Sequence, residues 1–249
     1  MGKLKYVDGI RAAFDYVLSN YPESLVVGQG LWSPFYVGSS MADLEKKYGR
    51  ERVIDTPVSE NTSTGIVLGA ALSGMKATVV HPRMDFMVLA ADQIVNQASK
   101  WRSMLGSSAP IPVTIRGIIN RGGEQGAQHS QALHSWFAHI PGLRVVMPAC
   151  PSDARDLLIS SILCNDPVLY IDDRWCYDLS EEVSPIKEQN LLHVKPLIVK
   201  EGKDITLVGA GYMTSICMNA HNELLKDHSI SSEVIDLRVI NPLNINPIL

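Results

Sequence analysis

The sequence predicts a layered α/β protein built on a mostly parallel sheet, and two observations carry that reading. Apolar runs too short for helices, such as Leu25-Val26-Val27 and Val53-Ile54, recur between longer stretches whose apolar residues fall at helical spacing. These runs also lack the in-out alternation of a half-exposed strand, so both faces of the sheet must be covered, as crossover helices do. With 249 residues, 46% of them apolar, the chain can bury one large core or two modest ones.

The first helix is predicted from Asp8 to Leu18, where Ile10, Phe14, Val17 and Leu18 share a face. Ser24-Leu25-Val26-Val27-Gly28 follows as a buried strand closed by glycine. The alternation continues with strand 53–55, helix 62–74, strand 76–80, helix 92–104, strand 111–116, helix 131–138, strand 144–147, helix 152–163 and strand 167–171. Between Asp178 and Pro196 the pattern gives way to a polar, proline-bounded stretch. A first domain is therefore expected over residues 1–180 and a linker over 181–199. Residues 200–249 supply strand 204–209, the turn Gly209-Ala210-Gly211, helix 213–226 and strand 232–237. Two strands and a helix seldom bury an independent core, so this piece either packs on the first domain or begins a longer one. Truncation is the favoured expectation.

Composition removes several function classes. Lys and Arg number 22 against 26 Asp and Glu, a net charge of -4 with no basic block, which argues against nucleic-acid and anionic-membrane partners. Cys150, Cys164, Cys176 and Cys217 have no metal-type spacing, and the N-terminus lacks a long apolar segment, so a cytoplasmic protein with reduced thiols is expected. Asn61-Thr62-Ser63 matches a glycosylation sequon, which without a secretory signal is read as chance.

Sites in doubly covered sheets open at the carboxyl ends of the strands, and two candidates follow predicted strand ends. The stretch Asp55-Thr56-Pro57-Val58-Ser59-Glu60, with a small-residue helix behind it, sets a carboxylate at a strand-to-helix junction. Kept partly dry there, Glu60 would have its proton affinity raised toward neutrality. A solvated carboxylate near the positive end of a helix capped by Thr62 or Ser63 reads equally well. The second is Gly126-Ala127-Gln128-His129-Ser130-Gln131, which follows the glycines at Arg116-Gly117 and Gly122-Gly123 and can present the His129 imidazole in a cleft. His134 and His139 follow at five-residue steps, which turn side chains off one helix face, so a three-histidine metal site is not expected.

Taken together, Asp55-Thr56-Pro57-Val58-Ser59-Glu60, Asp92-Gln93-Ile94-Val95-Asn96, Gln128-His129-Ser130-Gln131 and His139-Ile140-Pro141-Gly142-Leu143-Arg144-Val145-Val146-Met147-Pro148 resemble one family. It is the β subunit of thiamine-diphosphate-dependent 2-oxo acid dehydrogenases, the decarboxylase components acting on pyruvate, branched-chain oxo acids or acetoin. The likeness runs from about residue 24 to 178 and resumes at 204–209 and 235–238.

The resemblance implies a transketolase-like pyrimidine-binding domain followed by a transketolase C-terminal-type domain. It also implies an α subunit, in an α2β2 assembly, that holds the diphosphate and Mg2+ through a Gly-Asp-Gly motif; that motif does not occur in this chain. The acyl unit made from the 2-oxo acid would pass to a lipoyl acyltransferase component. Glu60 matches the glutamate that hydrogen-bonds a ring nitrogen of the aminopyrimidine. Phe86 matches the aromatic placed against that ring, with Asp85 beside it either in the same pocket or merely starting a helix. His129 matches the histidine near substrate and lipoyl entry. Val113, Ser161, Cys164 and Asp166 match a backbone-carbonyl potassium site, with Cys164 standing where an acidic residue is usual. Helix 92–104, with Ile94, Val95, Ala98, Trp101 and Met104 apolar, is a candidate subunit-packing element or a core-facing helix.

The chain also departs from the pattern. Gln29, in Gly28-Gln29-Gly30, replaces an acidic residue, which makes it a candidate substrate residue. Val80-His81-Pro82-Arg83-Met84-Asp85-Phe86 replaces an aromatic-rich segment and Leu89 stands where glutamine is frequent, so the substrate need not be pyruvate. Arg83 pairs with an acidic substrate or partner, or is simply solvated. Two alternatives remain: the C-terminal subunit of a split transketolase, whose Gly-Ile-Ala-Glu-Gln motif fits Pro57-Val58-Ser59-Glu60-Asn61 poorly, and a non-catalytic scaffold of the same fold.

Overall fold

The computed structural model describes residues 2–106, 110–121 and 125–248. In chain order its elements are β1 (Lys3–Lys5), α1 (Tyr6–Asn20), β2 (Ser24–Gln29), α2 (Leu44–Tyr48), β3 (Val53–Thr56), α3 (Glu60–Leu72), β4 (Lys76–His81), α4 (Met84–Met87), a π-helix (Asp92–Ala98), α5 (Trp101–Leu105) and β5 (Val113–Ile119). Then come α6 (His134–Ala138), β6 (Arg144–Val146), α7 (Pro151–Ile162), β7 (Val168–Asp173), β8 (Ser180–Glu182), β9 (Leu197–Lys200), β10 (Ile205–Gly209), α8 (Tyr212–His228), β11 (Ser232–Asp236) and β12 (Val239–Asn241).

A seven-stranded sheet runs in the order β12-β6-β7-β5-β4-β2-β3, parallel throughout except for the antiparallel edge strand β12. All seven residues of β5 are buried, which accounts for the absence of alternation in the sequence. Successive side chains serve opposite cores. Val26, Val80, Ile118 and Tyr170 face the layer of α1 and α7, whereas Val27, Val79, Ile115 and Leu169 face that of α3 and the π-helix. Helices α1 and α7 pack closely because residue 9 is glycine: a Cβ there would stand 2.7 Å from the Pro151 carbonyl oxygen.

One charged group sits at the centre. Arg116, fully buried on β5, donates to both carboxylate oxygens of Asp172 at 2.7 and 2.8 Å, and the Tyr177 hydroxyl donates to Asp172 Oδ2 at 2.6 Å. This bidentate pair bridges neighbouring strands in the dry interior.

Several elements differ from expectation. Helix α3 begins at Glu60 with Ser59 as its N-cap, so Thr62 and Ser63 lie inside the helix and cap nothing. The expected 92–104 helix is broken into a π-helix and α5, where Ser99 Oγ donates to the Val95 carbonyl at 2.7 Å. Of its apolar residues Ile94 and Ala98 are buried in the core, while Met104 is exposed. Helix 131–138 shrinks to α6. In the stretch expected to be irregular, β8 pairs with β1, and β9 joins β10 and β11 in a second sheet of order β10-β11-β9. Strand β12 reaches back to pair with β6. No helix among the described residues is long and apolar enough to cross a membrane.

Asp172→Asn leaves the buried Arg116 guanidinium without its counter-charge and is expected to lower the unfolding free energy by about 3–5 kcal/mol. A urea titration reads this as a fall in midpoint at unchanged slope.

Candidate active site

The carboxyl ends of β2, β3, β4 and β5 lie side by side, and the segments leaving them enclose a cleft of about 310 Å3. Gln29 and Tyr36 come from the β2 end, Val58 and Glu60 from the β3-to-α3 junction, Pro82, Arg83, Phe86 and Leu89 from the β4 end, and Gln125 and His129 from the segment after β5. Of the residues singled out in the sequence, Gln29, Glu60, Phe86 and His129 are thus brought together. A larger hollow of about 580 Å3, lined by Val88, Ala91, Val95, Trp136, Phe137 and Ile140 among others, is almost wholly apolar and has His139 as its titratable lining residue. Chemistry rather than volume singles out the smaller cleft.

Glu60 is the first residue of α3 and is half-buried in this chain. Its backbone is fixed from behind. The Glu60 carbonyl accepts from Ser63 Oγ at 3.2 Å and Thr64 Oγ1 at 2.7 Å, and Thr64 Oγ1 in turn lies 3.0 Å from Nε2 of His81 at the end of β4. His81 is 2% exposed, and burial pushes its pKa down to about 4, so the ring is neutral at physiological pH. Because the single hydroxyl proton of Thr64 goes to the Glu60 carbonyl, His81 Nε2 is assigned as the donor to Thr64. The sequence reading missed this relay; its signal was a histidine closing the apolar strand Lys76-Ala77-Thr78-Val79-Val80-His81.

Gln29 Nε2 donates to the Tyr36 hydroxyl at 2.6 Å. The Tyr36 ring lies against Gly30, where a Cβ would stand 2.2 Å from a ring carbon and where φ is +71°, so residue 30 must be glycine. Asp55 holds this loop by accepting from the Gly30 and Trp32 backbone N–H groups at 2.6 and 3.3 Å, and Arg174 Nη2 donates to the Tyr36 carbonyl at 2.7 Å. Tyr36 was also missed, although an aromatic cluster at Trp32, Phe35 and Tyr36 between Gly30 and Gly38 marked the loop.

Phe86 and His129 meet edge to face, with ring centroids 5.0 Å apart and planes at 80°. His129 Nδ1 is buried and has no hydrogen-bond partner among the described residues. Asp85 lies in the first turn of α4, in line with the helix-start alternative. It is 7% exposed and off the cleft wall, and its Oδ1 accepts from the backbone N–H and Nε2 of Gln131 at 3.0 and 2.9 Å. It anchors the segment just after His129. The glycines Gly122 and Gly123 lie outside the described residues.

Two of the four residues matched to a potassium site make other contacts. The Ser161 carbonyl accepts from the Leu163 and Cys164 N–H groups, and the Asp166 carboxylate is held by both Arg102 and Arg144. Two guanidiniums offset the charge of that carboxylate, and no step is drawn through the ion. His134 is half-buried, with its pKa lowered by burial. Among the described residues no three His, Cys, Asp or Glu side chains come together as a metal set.

Parallel strands delivering a carboxylate, an aromatic ring and an imidazole to one cleft define the class. The family model "Transketolase, pyrimidine binding domain" matches residues 2–174, and "Transketolase, C-terminal domain" matches 195–249. The chain is 36% identical over 268 residues to the acetoin:2,6-dichlorophenolindophenol oxidoreductase subunit beta of Cupriavidus necator, covering 99% of this chain and 75% of that protein. It is 37% identical over 250 residues to the pyruvate dehydrogenase E1 component subunit beta of Porphyra purpurea, covering 100% and 74%. It belongs to the family of these dehydrogenase β subunits, with their transketolase-type domains. Among solved structures, a split-gene transketolase described as an inactive β4 tetramer superposes with a TM-score of 0.77 at 19% identity, covering 97% of this chain and 74% of that one. The transketolase of Campylobacter jejuni gives 0.76 at 16%, covering 96% and 36%. At these identities the likeness is one of fold.

The folded-state pKa of His81 lies below its ordinary value, so its neutral form contributes stability that is present above pH about 6.5 and is lost as pH falls toward about 4. Unfolding free energies of wild type and His81→Leu, measured at several pH values, are expected to differ most above that window and least below it.

Proposed function

We propose that this chain is the β subunit of a heteromeric, thiamine-diphosphate-dependent 2-oxo acid dehydrogenase, in which it activates the cofactor and shapes the substrate end of the site. The observation that carries this is the convergence of Glu60, Phe86, His129 and Gln29 in one cleft at the strand ends. The residues present fit the cofactor's aminopyrimidine. Glu60 offers a carboxyl group at a rigidly held helix start, Phe86 an apolar face for a flat heterocycle, and His129 a ring nitrogen awaiting a partner. When bound, thiamine diphosphate supplies the nucleophilic carbon and the electron sink for loss of CO2.

The chain's own residues do the rest. Glu60 hydrogen-bonds a ring nitrogen and holds or yields the proton there, while the Thr64–His81 relay keeps its backbone from shifting. Phe86 orients the ring and keeps water from it. His129, propped by Phe86 and with its segment tied to Asp85, moves a proton at the substrate end. The diphosphate and Mg2+ are assigned to an α subunit, since this chain has no Gly-Asp-Gly, and the acyl product to a lipoyl acyltransferase component. An apolar surface supports the partner reading. Val58 is 67% and Leu89 64% exposed at the cleft rim, and Val88, next to Leu89, opens the apolar hollow beside Trp136. An α2β2 assembly would cover it.

Co-expressed with an α-like partner and supplied with thiamine diphosphate, Mg2+ and an artificial electron acceptor, the complex is expected to oxidise a 2-oxo acid. Glu60→Gln is expected to lower kcat by about 100- to 10,000-fold. An assembled, loaded Glu60→Gln complex that keeps the wild-type rate would overturn the assignment, as would a wild-type complex that transfers ketol units between sugar phosphates but decarboxylates nothing.

A further inference from the structure

Tyr36 lines the cleft, and the reaction above gives it no part. Its oxygen accepts from Gln29 Nε2 at 2.6 Å, in a bond that is exposed rather than buried in the wall. A tyrosine hydroxyl carries one proton, and no group among the described residues accepts this one. The amide therefore occupies the acceptor side of the oxygen and leaves the O–H free to donate. Hydrogen bonding to the oxygen also polarises that O–H and makes it the stronger donor. The phenol is set in place before any ligand arrives: its ring lies against Gly30, its backbone N–H donates to Ser33 Oγ at 3.2 Å and its carbonyl accepts from Arg174 Nη2 at 2.7 Å. The β2 exit that carries Gln29 and Tyr36 lies between the β3 exit with Glu60 and the β4 exit with Phe86.

A 2-oxo acid offers such a donor two kinds of oxygen. On the carboxylate it would work against the reaction. As the C1–C2 bond breaks, the electron pair stays on the C2 side and the carboxylate leaves as neutral CO2, so negative charge drains from the group the donor holds. On the C2 oxygen it works with the reaction: attack at the 2-oxo carbon moves the C=O π pair onto that oxygen, and a hydrogen bond to it strengthens as the charge develops. A neutral phenol suits this place, because it meets the developing charge without gripping the carboxylate as a cation would.

We propose that Tyr36 is a further catalytic residue, whose hydroxyl donates to the C2 oxygen of the 2-oxo acid as charge builds there, and that Gln29 keeps it a donor. This rests on the decarboxylating reading above. Residue 29 decides the direction of the bond: a carboxylate there can only accept, so Gln29→Glu draws the Tyr36 proton away from the substrate.

In the loaded complex with the α-like partner, kcat and KM for the 2-oxo acid turned over fastest are measured for wild type, Tyr36→Phe, Gln29→Glu and the double variant. Calorimetry gives the affinity of each for the methyl acylphosphonate of matching chain, which is attacked at its carbonyl carbon but cannot lose CO2. Tyr36→Phe keeps the ring on Gly30 and is expected to lower kcat about 10- to 100-fold at nearly unchanged KM, weakening the analogue by a similar factor. Gln29→Glu is expected to cause a loss of that order beside Tyr36 and little loss in the Tyr36→Phe background. Hydrogen–deuterium exchange at the thiazolium C2 without substrate is expected to keep the wild-type rate in Tyr36→Phe, because the hydroxyl acts only once substrate is bound. Wild-type kcat and analogue affinity in Tyr36→Phe, a change confined to KM, a Gln29→Glu loss equal in both backgrounds, or slowed exchange in Tyr36→Phe overturns the inference and leaves the decarboxylating reading standing. A loaded wild-type complex that decarboxylates no 2-oxo acid overturns both.

Discussion

The parallel register of four adjacent strands is the constraint on which the rest depends. Gln29 pairs with Thr56, Gly28 with Val80, and His81 with Gly117, so β3, β2, β4 and β5 end at one level and their exits lie in a row. That alignment can be held only if both sheet faces are dry, which the alternate apolar side chains of each strand achieve by feeding two separate helix layers. The Arg116–Asp172 pair ties β5 to β7 beneath the same end of the sheet. Cleft residues far apart in sequence then need no long-range contacts of their own to converge, because the sheet delivers them.

Much of this was legible in the residues. Short buried runs at β2, β4 and β7 announced the sheet, and the motif ending in Glu60, together with the segments holding Phe86 and His129, marked the strand exits that form the cleft. What escaped notice depends on pairing that no local pattern encodes. The His81–Thr64 contact spans 17 residues and joins the end of a strand to a helix start, and Tyr36 enters the cleft only because Gly30 lets its ring lie down and Asp55 ties the loop. Asp85, read from the sequence as either a pocket residue or a helix start, lies in the first turn of α4, and its Oδ1 accepts from Gln131, 46 residues away, a contact no local pattern announces. Strand β9 was overlooked because its residues are all exposed and lie in a stretch whose prolines suggested irregular chain.

On the proposed reading the cleft is half a site. Glu60 is only half-buried, Val58 and Leu89 stand exposed at the rim, and an apolar hollow opens next door. A covering subunit would exclude more water from the half-buried Glu60 carboxylate. On the proposed reading assembly and catalysis are one problem, because the exposed apolar surface is continuous with the wall of the cleft.

If Glu60 governs proton transfer at the cofactor, hydrogen–deuterium exchange at the thiazolium C2 of thiamine diphosphate depends on it. It would be followed by quenched-flow NMR in the assembled complex without substrate. Glu60→Gln is expected to slow this exchange by about 100-fold or more while cofactor remains bound. Exchange at the wild-type rate in a fully loaded Glu60→Gln complex would contradict it.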